Sequence, residues 1–140
     1  MSVAVFPQVS QVAMLNSVLI KSGAVAALTL KLYSNNRTPG LTDVAGDYNE
    51  VSGGGYSDEA LVAASFTVTP GNPSQAIYNA FVEWTFTGAT DAPGTIYGAY
   101  IVDGNGVLIS AELFDGGPFI PGNGDIIKYK PRIQCATLTS

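Results

Sequence analysis

Histidine is absent from this chain of 140 residues, and cysteine occurs once. Losing histidine removes the commonest general base, the commonest metal ligand, and the Ser-His and Cys-His nucleophile pairs. The lone Cys135 excludes an internal disulfide and the common multi-cysteine zinc patterns. It stands in an apolar-alternating tail and reads as a buried, inert thiol. Charge is scarce as well. Asp, Glu, Lys and Arg make up 12% of the chain, against about 25% in an ordinary soluble protein. A small domain this poor in charge is expected to cover part of its surface with partners. The net charge is −5 and no basic cluster is present, so nucleic acid is not an expected partner.

Residues 1–20 carry no charged side chain at all. Pro7, Gln8, Ser10, Gln11, Asn16 and Ser17 nevertheless make this stretch too polar to span a membrane. It also lacks the basic n-region of a signal peptide, so synthesis in a cytoplasm is expected.

What the chain does have is apolar residues (46%), 16 glycines, 8 prolines, 7 tyrosines and 6 phenylalanines. That mixture suits short strands joined by tight turns. The length suits one domain with one core. Residues 2–6 read as a β-prone arm ended by Pro7. Over residues 8–21, Val9, Val12, Ala13, Leu15, Val18, Leu19 and Ile20 step by three and four, which suits a helix stopped near Gly23. Their β-branched content keeps a strand open as an alternative. Residues 26–33 alternate, with Leu28, Leu30 and Leu32 on one face, and predict a half-buried strand. A long surface loop follows over residues 34–47.

Further strands are expected over residues 60–68, 76–87, 95–103, 107–114, 126–129 and 131–138, separated by Gly- and Pro-rich turns. Trp84, on the apolar face of residues 76–87, is the expected centre of the core. Gly104-Asn105-Gly106 predicts a tight hairpin, and Pro131 predicts an edge strand or bulge. Together these predict an all-β antiparallel sandwich, jelly-roll-like, preceded by a short N-terminal helix. The whole of 1–140 is one β-sandwich domain on this reading, with 1–22 as arm and helix.

The stretch Tyr48-Asn49-Glu50-Val51-Ser52-Gly53-Gly54-Gly55-Tyr56 stands out. Three successive glycines let the backbone reach positive φ and approach a neighbouring segment closely. The flanking tyrosines are large amphipathic rings able to fix such a turn against a core. A phosphate-binding loop does not fit, because neither a Lys-Ser or Lys-Thr pair nor a helix-forming run follows. Gly53, Gly54 and Gly55 therefore read as a structural turn.

Glu50-Val51-Ser52-Gly53-Gly54-Gly55-Tyr56, placed after Leu30-Lys31-Leu32-Tyr33-Ser34-Asn35-Asn36 and a Thr38-Pro39 pair, resembles a family of small tailed-phage virion proteins. Its members are described as head decoration (cement), head-fibre or tail-fibre-like proteins. Met14-Leu15-Asn16 fits the short helix of that layout. The resemblance implies a virion structural protein with no active site, made in the bacterial host cytoplasm. It also implies the phage major capsid protein or other virion proteins as partners, and a homo-oligomer, a trimer in decoration proteins. A tail-fibre or baseplate component is the alternative within the class. A carbohydrate-binding β-sandwich is the alternative outside it, with Tyr48, Tyr56 and Tyr97 as exposed sugar-stacking rings.

Other candidate sites have plainer readings. Asp103-Gly104-Asn105-Gly106 lacks the downstream glutamate of an EF-hand, and reads as a hairpin. Asp115 and Asp125 flank a second glycine-rich region without enough further oxygen ligands for calcium. Glu83 and Glu112 would need to approach within about 5 Å to act as a retaining glycosidase pair, and both read as solvated instead. No cofactor, metal or catalytic residue is expected. Two groups are candidate interface residues. Val3, Val5 and Phe6 belong to the arm, which is expected to reach a neighbour. Lys128, Lys130 and Arg132 are spaced to share one face of a strand. There they guard an edge or meet an acidic neighbouring subunit.

Overall fold

The structure, a computed structural model, describes residues 27–40, 42–71 and 74–134. The expected helix over 8–21, the arm with Val3, Val5 and Phe6, and Cys135 lie outside the described residues.

The described chain is all-β and its strands pair antiparallel. In order they are β1 (Ala27–Tyr33), β2 (Glu59–Val62), β3 (Phe66–Thr69), β4 (Gln75–Tyr78), β5 (Val82–Thr85), β6 (Gly98–Val102), β7 (Leu108–Leu113), β8 (Ile126–Tyr129) and β9 (Arg132–Gln134). They form a four-stranded sheet of order β2-β1-β6-β7, a three-stranded sheet β3-β4-β9, and a pair β5-β8. One core joins all three. Leu28, Leu30 and Leu32 of β1 pack with Leu61, Phe66, Ala76, Trp84, Phe86, Ala99, Ile101 and Ile133. Trp84 is buried there as expected, and its Nε1 donates to the Ser57 carbonyl at 2.9 Å. Indole burial thus leaves no donor unsatisfied.

The expected half-buried strand is buried on both faces at its C-terminal end. Tyr33 points away from the leucines into a second cluster with Tyr48, Tyr100 and Val102. Tyr48 stacks on Tyr100 with ring centroids 5.3 Å apart, and meets Tyr33 edge-on at 4.9 Å. β6 divides its alternation in the same way. Ala99 and Ile101 go to the main core, Tyr100 and Val102 to the tyrosine cluster.

Two expected strands are each two strands. The stretch expected over residues 60–68 is β2, a 3-10 turn at Ala63–Ser65, and β3, together running from Glu59 to Thr69. Leu61 and Phe66 are five positions apart, so an unbroken strand would turn them to opposite faces. The turn lets both enter the core, while β2 pairs with β1 and β3 with β4. Residues 76–87 likewise divide into β4 and β5 around residues 79–81. β4 pairs with β3 and β9, and β5 with β8. At this break Ala80 and Phe81 are exposed, and the Asn79 amide donates to the Ser65 carbonyl at 2.9 Å. Ile126–Tyr129 is a strand as expected. The hairpin at residues 103–106 joins β6 to β7, with Asp103 accepting from the amides of Asn105 and Val107. β9 is an edge strand, in line with Pro131 preceding it.

The glycine turn ties these parts together. Gly53, Gly54 and Gly55 all have positive φ, at 74°, 63° and 81°. The Gly54 carbonyl accepts from the Thr87 amide at 2.9 Å, and the Ser52 carbonyl from the Asp91 amide at 2.8 Å. Tyr56 packs on the main core, its hydroxyl donating to Glu50 and accepting from the Leu32 amide. A Cβ on Gly54 would lie 2.7 Å from the Gly88 carbonyl oxygen, a rigid backbone neighbour. At Gly106, φ is 79° and nothing stands within 4 Å. Gly106→Ala is therefore expected to cost about 1–2 kcal/mol, the conformational penalty alone. Gly54→Ala should cost more, since it adds the clash. Urea unfolding of the two variants measures the difference, and equal losses would refute the close-packing role of Gly54.

Candidate functional site

Two features of the described surface are built rather than incidental: the loop over residues 34–49 and the cleft it forms with β7. The loop lies over the outer face of the four-stranded sheet, and its folding follows from one carboxylate. Asp43 is nearly inaccessible to solvent, at 4% side-chain exposure. Its two oxygens accept from Arg37, Nη2 at 2.6 Å and Nε at 3.0 Å, a bidentate fork. The Tyr48 hydroxyl donates to it at 2.6 Å and the Gly40 amide at 3.1 Å. Asp47 sits 3.6 Å from the same guanidinium and accepts from the Val44 amide. Asn35 bridges the base of the loop, donating to the Asp47 carbonyl and accepting from the Asn49 amide. The Tyr33 hydroxyl donates to the Arg37 carbonyl at 2.9 Å.

The electrostatics follow. Hydrogen bonds from Arg37, then Tyr48, hold the Asp43 carboxyl well below the usual carboxylate range. Burial first, then the hydrogen bond to Asp43, pushes the Tyr48 phenol up. Burial likewise raises Tyr33 and Tyr100 to about 12. All three rings stay neutral hydrogen-bonding and stacking groups at neutral pH.

Beside this loop, an open cleft of about 540 Å³ runs along β7. Its floor is five consecutive residues, Leu108, Ile109, Ser110, Ala111 and Glu112. The loop supplies Pro39, Gly40, Asp43 and Tyr48, and β9 supplies Arg132 and Gln134. Glu112 also lines a second hollow of about 330 Å³, with Phe114, Phe119, Ile126, Ile127 and Tyr129. The two hollows therefore meet along β7. Around the second, Leu113, Phe119, Ile120 and Ile126 are exposed. Arg132 Nε donates to Glu112 at 2.6 Å, and that bond raises the guanidinium further. Burial pushes the Tyr129 phenol up, and the neighbouring Glu112 adds to the shift.

The residues singled out in the sequence fall in several places. Lys128, Lys130 and Arg132 are not on one strand. Lys128 is on β8, Arg132 on β9, and the chain changes sheet between them at Lys130 and Pro131. Each meets a group of its own chain: Lys128 pairs with Glu83 at 3.0 Å, Arg132 with Glu112, and Lys130 lies over the Phe81 ring. Glu83 and Glu112 thus each face a cation on a neighbouring strand. Asp125 accepts from the Gly122 amide in its turn, and Asp115 lines the smaller hollow. Among the described residues, no three His, Cys, Asp or Glu side chains converge as metal ligands. The expectation of exposed, sugar-stacking tyrosines is corrected. Tyr48 is buried in the aromatic cluster, and Tyr56 and Tyr97 are partly buried. Their rings are consumed by packing, Tyr48 and Tyr97 in the tyrosine cluster and Tyr56 against the main core.

Sequence reasoning did not find the Arg37-Asp43-Tyr48 cluster or the β7 cleft. Residues 34–47 signal a loop through Asn, Pro and Gly, but nothing local says which carboxylate the arginine takes. Comparison with family models, with curated proteins and with solved structures finds no match to this chain.

Asp43 makes the loop acid-sensitive. A carboxyl held below its unfolded value adds stability that is complete above about pH 4 and is lost as pH falls toward the folded value. Acidification from about pH 5 downward should therefore destabilise the wild type more than Asp43→Asn. Near-ultraviolet circular dichroism of the tyrosine cluster, followed through urea unfolding at each pH, reads this out. A wild-type advantage over the variant that stays constant down to about pH 2 would contradict it.

Proposed function

We propose that this chain is a phage virion structural protein, a decoration or cement protein that stabilises the head shell. The observation that carries the reading is the resemblance of the Glu50-to-Tyr56 turn, in its order after the Leu30-to-Tyr33 strand, to small virion proteins. A jelly-roll-like sandwich arrangement of the three sheets belongs to the same reading. The surface supports it. Lys31, Arg37, Lys128, Lys130 and Arg132 all engage groups of their own chain. Meanwhile Val44, Val62, Phe81, Val107, Leu113, Phe119, Ile120 and Ile126 are exposed. A surface with large apolar side chains and internally paired charges favours association through buried area. The work of such a protein is adhesive: added interface between subunits, without bond-making chemistry.

The partners on this reading are the major capsid protein and further copies of this chain in a trimer. A tail-fibre or baseplate position is the alternative, with the same surface used against different neighbours. Purified protein added to heads that lack it should bind to saturation and raise the temperature at which the shells release DNA. In free solution, light scattering should give three times the 14.5 kDa chain mass. Recovery with tails and no binding to heads would move the protein to the alternative. A monomer on intact virions would overturn the trimer.

A further inference from the structure

Among the described residues, six strands have an open edge, and one of them differs from the rest. β2 and β7 end the four-stranded sheet, β3 and β9 the three-stranded sheet, and β5 and β8 form the pair. Exposed edges invite pairing with other chains, and proteins blunt them with short length, proline or charge. β2, β3, β5 and β8 have four residues each and β9 has three. Glu59, Glu83, Lys128 and Arg132 add charge to four of them, and Pro70 follows β3 directly. β7 is the longest, with six residues, Leu-Ile-Ser-Ala-Glu-Leu, and has no proline or lysine. Its one charge, Glu112, is taken by Arg132 at 2.6 Å. Among the described residues its outer edge has no ladder partner.

That edge is recessed. The cleft of about 540 Å³ has residues 108–112 as its floor. Its walls stand on opposite faces of the sheet: Tyr48 belongs to the tyrosine cluster, while β9 enters the main core through Ile133. Another sheet edge, carrying its own flanking strands, would strike these walls. A single detached strand carries no such neighbours, and it would lie beside the contacts that Ser110 and Glu112 make to Arg132 of the β9 wall. No unpaired charge asks for a charged occupant, because Asp43 and Glu112 already hold Arg37 and Arg132.

We propose that β7 is a strand-addition site and that its occupant is residues 2–6 of a second copy of this chain. The segment Ser2-Val3-Ala4-Val5-Phe6 is charge-free and β-prone, and Pro7 ends it because proline cannot donate to a ladder. At about 3.3 Å per residue it extends about 17 Å, the length of the five-residue floor. Backbone hydrogen bonds supply the attachment, and alternate side chains enter the pocket on either side of the strand. Twenty residues, numbers 7–26, separate this segment from β1; even with the expected helix over 8–21 at about 1.5 Å per residue, they can span about 40 Å, enough to reach a neighbouring molecule. The inference rests on the reading of this chain as an assembling subunit and not on its place in a head.

Hydrogen exchange of the full chain tests it. Ser110 and Glu112 turn their backbone groups to β6, so the outward-facing amides of Ile109 and Ala111 are the reporters: they should be protected in the oligomer, and exchange at least about tenfold faster after dilution to monomer. They should exchange equally fast in a chain lacking residues 2–6, and a synthetic peptide of residues 2–7 should restore protection there. Should the truncation fail to fold, Val3→Asp/Val5→Asp in the full chain replaces it, with the same loss expected. Protection that persists at monomer concentrations would place the occupant on its own chain and overturn the proposal. So would protection that survives removal or charging of the segment. A protein that shows the expected exchange pattern but does not bind heads would overturn the head-decoration reading and leave the strand-addition site standing.

Discussion

β1 is the constraint on which the described structure depends, because it is used on both faces and both edges. Its leucines enter the main core while Tyr33 enters the aromatic cluster. Its edges pair with β2 and β6. The Leu32 carbonyl accepts from the Val51 amide and the Leu32 amide donates to the Tyr56 hydroxyl. The glycine turn is therefore anchored to β1 before it reaches residues 87–91. A strand that is satisfied in four directions cannot slip by one residue without moving leucines and tyrosine to the wrong sides.

The surface cluster and the core are linked through the same strand. Tyr33 is the last residue of β1, and its hydroxyl reaches the Arg37 carbonyl. Arg37 holds Asp43, Asp43 holds Tyr48, and Tyr48 returns to stack on Tyr100 of β6. The loop therefore closes on the sheet that launches it. Burying Asp43 is tolerable only because guanidinium, phenol and amide donors all converge on it. A buried carboxylate short of partners costs far more than the pairing returns. This closure also raises one wall of the β7 cleft.

The sheets otherwise meet water through short edges. Charge is sparse, so what little there is goes to cross-strand pairs such as Glu83 with Lys128, which face each other directly in the β5–β8 register. That spending leaves apolar side chains exposed near Phe119 and Ile126, and leaves β7 with its edge guarded by recess alone.

The sequence by itself determined the local chemistry: the alternation of β1, the positive-φ glycines at 53–55, the hairpin at Gly104 to Gly106, the strand Ile126–Tyr129 and the burial of Trp84. Each is a short-range consequence of side-chain period or backbone freedom, so no distant partner is needed to read it. Tertiary structure decided the rest. Period alone joined residues 60–68 and 76–87 into long strands. Only the demand that Leu61 and Phe66 share one core, and that β4 and β5 serve different sheets, broke them. Lys128, Lys130 and Arg132 kept their period-two spacing in sequence but lost their common face when the chain changed sheets. The tyrosines offered as exposed rings became core, because which side of a sheet is covered depends on where a loop lands. Arg37 took Asp43 among eleven carboxylates, a choice of distance and not of pattern. Local periodicity specifies which way a side chain points relative to its own strand, and only packing specifies what stands there.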